Sequence, residues 1–500
     1  MTPSADVVVV GNGVLGLSVA VAAARRDTTL EVAVIGPPAR PLAASAAAGA
    51  MFNCFGEVTQ YTSRHPAAEA KFTVGRQALA KWPEWLEMLA ASAGLEADAL
   101  RASHVPGTFV VLGARSGRIA ARNFEAMQSA LAQYDEPYEE VGPGAIDGLS
   151  PEPDARPFRA LHLPREGAVD ARRVLSALEA ACRSHDVTLV PSTVTELVVA
   201  NGRVQGVRLS DGTRVAAGSV VLAAGSTSTD LTADLLPPGA VPPLLHGTGL
   251  GLIVEPSERG AREVIRTPNR AATCGIHTVP LPASGQQYFG ASNVLTSAPV
   301  AGPEFGAVKG MLQVVREQFD RRMDSWPIVR WLHGVRPITL DCFPLVGPCS
   351  IDGLIFATGT YRDGFHCSPV IAEHITNLLL DPATPAGPQF GWFTPERFPI
   401  ETMTVEESVS ETAVHSVDVA YENGLSMPWW MDDNWITDRE CQTITRVYED
   451  LEEPIAFAPE IILSLRDLAH PPQVKRMKAY LREARARHGT STDPRTPSTS

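Results

Sequence analysis

The residues of this 500-residue chain whose types and spacing most clearly imply chemistry stand near its start. Val7 to Val10 is a β-branched run of the kind that forms a parallel strand buried on both faces. Gly11-Asn12-Gly13-Val14-Leu15-Gly16 follows at once, then an Ala-rich helix to about Arg26 and a second strand over Glu31 to Ile35. In such a strand–turn–helix–strand unit, Gly11 permits the tight turn and Gly13 lets backbone approach a diphosphate. Gly16 lets helix and strand pack closely. The helix N-terminus then offers unpaired N–H groups and partial positive charge to phosphate. The acid that usually closes the second strand and binds ribose is replaced by Gly36, with Pro37, Pro38 and Arg40 behind it. Loss of the acid beside an arginine also suits a 2′-phosphate, so this motif alone leaves a flavin and a phosphorylated nicotinamide dinucleotide both open.

Three later segments narrow the choice. Ser45-Ala46-Ala47-Ala48-Gly49-Ala50-Met51, with Glu57 just beyond, is a small-residue loop after the second strand. Gly167-Ala168-Val169-Asp170 leads into a helix to about Ser184, a strand over Val187 to Val190 and a hairpin turning at Asn201-Gly202. Ser219 to Leu222 is then another buried strand, ending at Ala223-Ala224-Gly225. Finally Gly334-Val335-Arg336-Pro337-Ile338-Thr339-Leu340-Asp341 leads to Pro344 and Gly347, and a strand over Leu354 to Ala357 meets Gly359-Thr360-Tyr361-Arg362-Asp363-Gly364-Phe365-His366-Cys367-Ser368-Pro369. These segments resemble the flavin loop and the GxRPxTxDxxPxxG and GxxRNGxxxxP signatures of the D-amino acid oxidase/glycine oxidase/sarcosine oxidase superfamily over residues 5–385, with Asp363 in place of the usual Asn.

The resemblance implies an α/β, two-domain flavoprotein that takes a hydride from the carbon next to an amine. The fold expected is a discontinuous Rossmann-like FAD-binding domain (1–85, 155–235, 330–385) and a mixed, largely antiparallel substrate-binding domain (86–154, 236–329). A C-terminal extension (386–488) and a disordered tail (489–500) lie outside the resemblance. It assigns the cofactor to Gly11, Gly13, Gly16, Ser45, Ala47, Ala48, Gly49, Met51, Val194 (at the adenine position), Ala224, Gly225, Arg362, Gly364, Phe365 and His366. The turn from Gly359 to Gly364 is expected to open the closing helix and hold the flavin's C2 carbonyl. Arg336 matches the arginine that clamps the substrate carboxylate, and a guanidinium can grip that group bidentately. His366 falls where sarcosine oxidases carry a carboxylate-binding lysine, His277 where glycine oxidases place a tyrosine, and Tyr288 at the oxygen-activating lysine. The last two departures leave substrate and electron acceptor, oxygen or another, open. The linking cysteine of sarcosine oxidase is Gly334 here, so FAD is expected to be non-covalent.

The bulk composition excludes other classes. A net charge of −14 argues against a phosphate-tracking nucleic-acid binder. Seven cysteines without a CxxC pair, and histidines without ligand spacing, imply neither a disulfide frame nor a metal site. Residues 7–24 are nearly all apolar, yet Asp6 precedes them and three glycines interrupt them, so neither a signal peptide nor a membrane span is expected. The expectation is a cytoplasmic protein, with a homo-oligomer allowed. Residues 401–453 hold 14 acidic against two basic residues and include Met427-Pro428-Trp429-Trp430-Met431 and Trp435. Residues 474–488 read as a basic helix with an apolar stripe at Val474, Met477, Leu481 and Ala484, expected to pair with that acidic stretch. The tryptophans are expected to be packed, with an active-site lid or a dimer contact as the other options. The rival functions are a flavoenzyme acting on a 2-hydroxy acid, an NADP-dependent Rossmann dehydrogenase and a non-catalytic subunit.

Overall fold

The computed structural model describes residues 3–95, 100–271, 274–290, 292–296, 298–381, 387–428, 430, 433–453, 455–466 and 471–488; the expected disordered tail 489–500 lies outside them. Among the described residues the strands form two sheets, of eight and ten strands. The core of the first is parallel: Thr188–Val190, Val32–Ile35, Ser4–Val10, Arg214–Leu222 and Leu354–Thr358 lie side by side in that order. Its register pairs Val10 with both Ile35 and Leu222, and Leu222 with Phe356. The strand ends that carry Gly11, Ala223 and Gly359 therefore meet at one edge, the usual ligand edge of an open α/β sheet. Helices Val14–Arg26, Ala171–Ser184, Ser368–Leu380 and Pro66–Ser92 cover one face through Leu17, Val174, Ile371 and Trp82. On the other face Val8 and Val10 pack against Leu197 and Val207 of the hairpin, which turns at Asn201-Gly202 as expected, both with positive φ.

The second sheet is antiparallel apart from Val264–Arg266, which runs parallel to His104–Gly113. Its membership departs from the expected boundaries in three places, one of them the short Met51–Phe52 strand. Ile328–Thr339, expected in the nucleotide domain, pairs along the whole of Leu244–Val254. Pro157–Val169, also expected there, pairs with His104–Gly113 and with Met51–Phe52. The boundary expected at 330 falls inside Ile328–Thr339, and the one expected at 155 falls just before Pro157–Val169. The turn after Leu354–Thr358 also differs. The closing helix begins only at Ser368, and Cys367 N–H donates to the Asp363 carbonyl at 2.7 Å, so the Gly359–Gly364 turn is not itself the helix opening.

The extension is folded onto both bodies. Val405–Glu422 opens with a capping box between Thr404 and Glu407, and its far end buries the Glu422 carboxylate 2.9 Å from the Arg270 guanidinium. In Pro471–His488, Met477, Leu481 and Ala484 are buried, while Lys478 and Arg482 reach Glu452 at 2.9 and 2.7 Å and Arg485 reaches Glu453. The basic helix thus pairs with the acidic segment as its charges suggest; the side chain of Val474 lies outside the described residues. The expected packing of the tryptophans does not hold for Trp430 and Trp435, which are exposed. In Asp433–Leu451 the buried Ile444 and Val447 occupy one face, and Trp435, nine residues before Ile444, lies on the opposite one. Trp429 and Met431 lie outside the described residues. No described helix is long and apolar enough to cross a membrane.

Removing one partner of a buried ion pair leaves an uncompensated charge, which typically costs about 3–5 kcal/mol. Glu422→Ala, which strands Arg270, is therefore expected to lower unfolding free energy by about that much and to speed proteolysis of the extension. An unchanged denaturant midpoint would show that the extension does not depend on this pair.

Candidate active site

A cavity of about 620 Å³ lies where the two sheets meet, and every expected site residue except Gly16 lines it. Gly16 instead serves packing, since a Cβ there would lie 1.9 Å from the Gly11 carbonyl oxygen. Gly11 has φ +114°, and a Cβ would meet the Ala223 carbonyl oxygen at 2.2 Å. Only glycine fits where these two backbones touch. Gly13 caps the following helix without a side chain, and the Val14 N–H donates to the Ser45 hydroxyl at 3.0 Å. The cradle presents helix dipole, glycine backbone and no acidic side chain, the donor set that suits a diphosphate.

Gly36 explains the missing ribose acid. A Cβ there would lie 2.5 Å from Asn12 Cγ, so the Asn12 side chain fills the space where the acid would stand. Arg40 donates to the Asn12 carbonyl and is ion-paired with Glu179. An arginine so engaged is poorly placed to receive a 2′-phosphate. The loop beyond it holds Arg40, Leu42 and Ala50 at positive φ. Such conformations persist only where surroundings enforce them. Here the Val335 N–H donates to the Leu42 carbonyl, and Tyr288 donates its hydroxyl to the Ala47 carbonyl at 3.1 Å. A Cβ on Gly334 would lie 2.8 Å from that of Ala47, so the linking-cysteine position is closed by packing.

The second sheet supplies the opposite wall. Arg336 on Ile328–Thr339 and Tyr288 on Gln286–Gly290 lie flat across Leu244–Val254, whose Gly249 and Gly251 leave them room. A Cβ on Gly249 would come within 2.6 Å of the guanidinium nitrogens, and one on Gly251 within 2.5 Å of the Tyr288 oxygen. The alternating glycines of Gly247-Thr248-Gly249-Leu250-Gly251 are a sequence signal that motif reading passed over. Arg336 Nη1 donates to the Ser292 carbonyl at 3.0 Å and to Asn293 Oδ1 at 3.3 Å; among the described residues no carboxylate pairs with it. His277 stacks on Tyr288 with ring centres 5.7 Å apart. Burial pushes the Tyr288 phenol up to about 12 and His277 down to about 4, so both are neutral near pH 7.

Arg362 and His366 line the cavity but are engaged elsewhere. Arg362 lies 3.6 Å from Glu57 and 3.7 Å from Glu460 of the extension, and its guanidinium stacks over Tyr361. His366 is buried, its Nε2 is 2.8 Å from the Gly75 carbonyl oxygen, and burial lowers its pKa. Behind them sits a network the motifs did not reveal. Fully buried Arg266 donates to Glu57 at 2.6 Å, to Asn269 and to the Thr267 carbonyl. Burial alone would raise the Glu57 carboxyl, but Arg266 and Arg362 outweigh it and hold it at about 2. Next to it Glu166 accepts from Phe55 N–H at 2.6 Å and from Asn53 Nδ2 at 2.6 Å, yet burial pushes its carboxyl up to about 7.

Because the folded value for Glu166 lies above its ordinary 4.5, its contribution to stability is complete below about pH 4.5 and is lost as pH rises through about 7. Thermal unfolding of the wild type is expected to show this loss between about pH 4.5 and 7, and Glu166→Gln to flatten it. Equal slopes in the two proteins would remove Glu166 as the source.

A model of the FAD dependent oxidoreductase family matches residues 6–378. The bifunctional protein ThiO/ThiG of Synechocystis sp. is 26% identical over 402 residues, covering 80% of this chain and 55% of that protein; its namesake in Trichormus variabilis is 25% identical over 75% of this chain and 53% of its own. The chain thus spans about half the length of the curated relatives it matches. Among solved structures, glycine oxidase from Geobacillus kaustophilus has a TM-score of 0.66 at 20% identity, over 79% of this chain and 100% of its own. Iminodiacetate oxidase from Chelativorans sp. BNC1 has a TM-score of 0.64 at 18% identity, over 78% and 98%. With its cradle, its opposed sheet and a family match across three quarters of its length, the chain belongs to the FAD-dependent oxidoreductase family.

Proposed function

We propose that the chain oxidises the C–N bond of a small amine bearing a carboxylate, an amino acid or N-substituted glycine, with non-covalent FAD, releasing an imine that hydrolyses in water. The bound flavin supplies the hydride acceptor. The observation that carries the substrate reading is the half-used fork of Arg336. One nitrogen of its guanidinium is anchored to Ser292 and Asn293, and no acid among the described residues competes for the rest. A fixed guanidinium with spare donors at a cavity wall is suited to hold a carboxylate in one orientation. Neutral His277 and Tyr288 beside it put no second positive charge where an amine must sit. The names of the similar structures, glycine oxidase and iminodiacetate oxidase, support the same class of substrate. The closed position at Gly334 and the small-residue loop against it support non-covalent attachment.

The purified chain is expected to be yellow and to release its flavin on acid precipitation. Arg336→Leu is expected to keep the flavin spectrum and lose roughly a hundredfold in kcat/KM, the worth of two charge-assisted hydrogen bonds. Arg336→Lys is expected to recover part of that, because an ammonium cannot reproduce the fork. Anaerobic bleaching of the flavin by glycine or N-methylglycine, compared with 2-hydroxy acids of the same size, separates C–N from C–OH oxidation. Normal turnover by Arg336→Leu would overturn the clamp.

A further inference from the structure

A second chamber, of about 250 Å³, lies against the first. Asn53, Glu57, Tyr361, Arg362, Asp363 and His366 line both, so the two chambers adjoin along these side chains. The far wall comes from the extension, through Thr402, Met403, Glu411, His415, Pro459 and Glu460. All six lie beyond the stretch 6–378 that the family model matches. The chamber has room for several non-hydrogen atoms, since one water in the liquid takes about 30 Å³.

Its lining carries five carboxylates, Glu57, Asp341, Asp363, Glu411 and Glu460, against three bases, Lys71, Arg270 and Arg362, with Arg266 and Arg397 behind them. Lys71 is held by Asp363 at 3.0 Å, Arg270 by Glu422 at 2.9 Å, and Arg362 is shared between Glu57 and Glu460. Asp341 is matched by Arg397 at 3.0 Å. Glu460 meets Arg362 at 3.7 Å, which also faces Glu57 beside Arg266, and Glu411 accepts from Gln60 Nε2 at 2.6 Å and meets the half-exposed Arg122 at 3.5 Å. His415 is 3.9 Å from Glu411, but burial holds it at about 4, so it adds no charge near neutral pH. Burial also pushes the Glu411 carboxyl up, outweighing Tyr61, Arg122, Gln60 and Arg64.

A second observation is independent of these acids. His366 is 4% exposed; its Nε2 faces the Gly75 carbonyl, which can only accept, so that nitrogen carries the proton. Nδ1 is then a bare acceptor, buried in the wall between the chambers and without a partner among the described residues. It calls for an N–H donor.

We propose that this chamber is a substrate subsite that takes a positively charged group, an alkylammonium or guanidinium, on Glu411 and Glu460, while the carboxylate of the same molecule rests on Arg336. The inference rests on the amine-oxidising reading above and narrows it to amino acids or N-substituted glycines with a basic side arm. The extension is then part of the active site and sets its specificity.

The test uses the full chain with bound FAD and matched pairs of compounds, each amino acid as both enantiomers. Ornithine is compared with norvaline, and N-(2-aminoethyl)glycine with N-propylglycine, by anaerobic flavin reduction and steady-state kcat/KM. The cationic member of a pair is expected to be favoured by about tenfold or more. Glu411→Gln and Glu460→Gln are each expected to shrink that ratio severalfold, and the double variant to bring it near one. Because the readout is a ratio within one protein, partial loss of fold or flavin affects both members alike. Equal use of both members by the wild type, or a ratio unaltered in both variants, would overturn the subsite. If the flavin is present and neither these compounds nor glycine reduces it, the amine-oxidising reading itself has failed and the subsite falls with it.

Discussion

A guanidinium with no exposure to solvent sets the terms for everything around the site. A charge removed from water is tolerated only where acceptors surround it. Arg266 meets that demand with Glu57, Asn269 and the Thr267 carbonyl. The acceptors come from two parts of the wall: Glu57 from beyond the flavin loop, Asn269 and Thr267 from the turn after the Val264–Arg266 strand. Glu57 in turn draws in Arg362 from the end of the nucleotide sheet, and Arg362 draws in Glu460 from the extension. The charge of one buried side chain is thus distributed over both sheets and the added helices. None of these parts can move far without leaving an ion unpaired.

The same logic separates the two arginines that face the cavity. Arg362 is bound into the protein's own charges, so its work is to hold the wall. Arg336 is anchored at one nitrogen only, over a strand that glycines have cleared, so its charge is directed at whatever enters. The distinction is one of unsatisfied valence, and residue type alone does not carry it.

The nucleotide half of this arrangement is legible in the chain because each constraint there is local. Gly11 and Gly13 declare a backbone approach within six residues of each other, and apolar runs declare buried strands. The second sheet is less legible. Arg336 was found through its motif, but the strand that bears it lies in the second sheet and not in the nucleotide sheet, which no local pattern marks. Arg266, Asn53 and Glu166 stand in ordinary strand and loop sequence; their role exists only where residues 213 and 113 positions apart meet. The acidic and basic character of the extension predicted its internal pairing, whereas the placement of Glu460 against Arg362 follows from packing alone.

The touching backbones of Gly11 and Ala223 also dictate a timetable. The first thirty-six residues leave the ribosome as a unit that looks complete, yet its cradle lacks one side until residues 223–225 arrive and another until the turn at 359–365. Strand pairing across such distances is slow to form, because a long loop must close before any contact rewards it. During synthesis one edge of Val7–Val10 is met by Val32–Ile35, while the other waits unpaired for Ser219–Leu222, exposed to other chains and to chaperones. The dinucleotide can meet its full site only when the turn at 359–365 has been made, so cofactor capture follows the pairing of strands far apart in the chain.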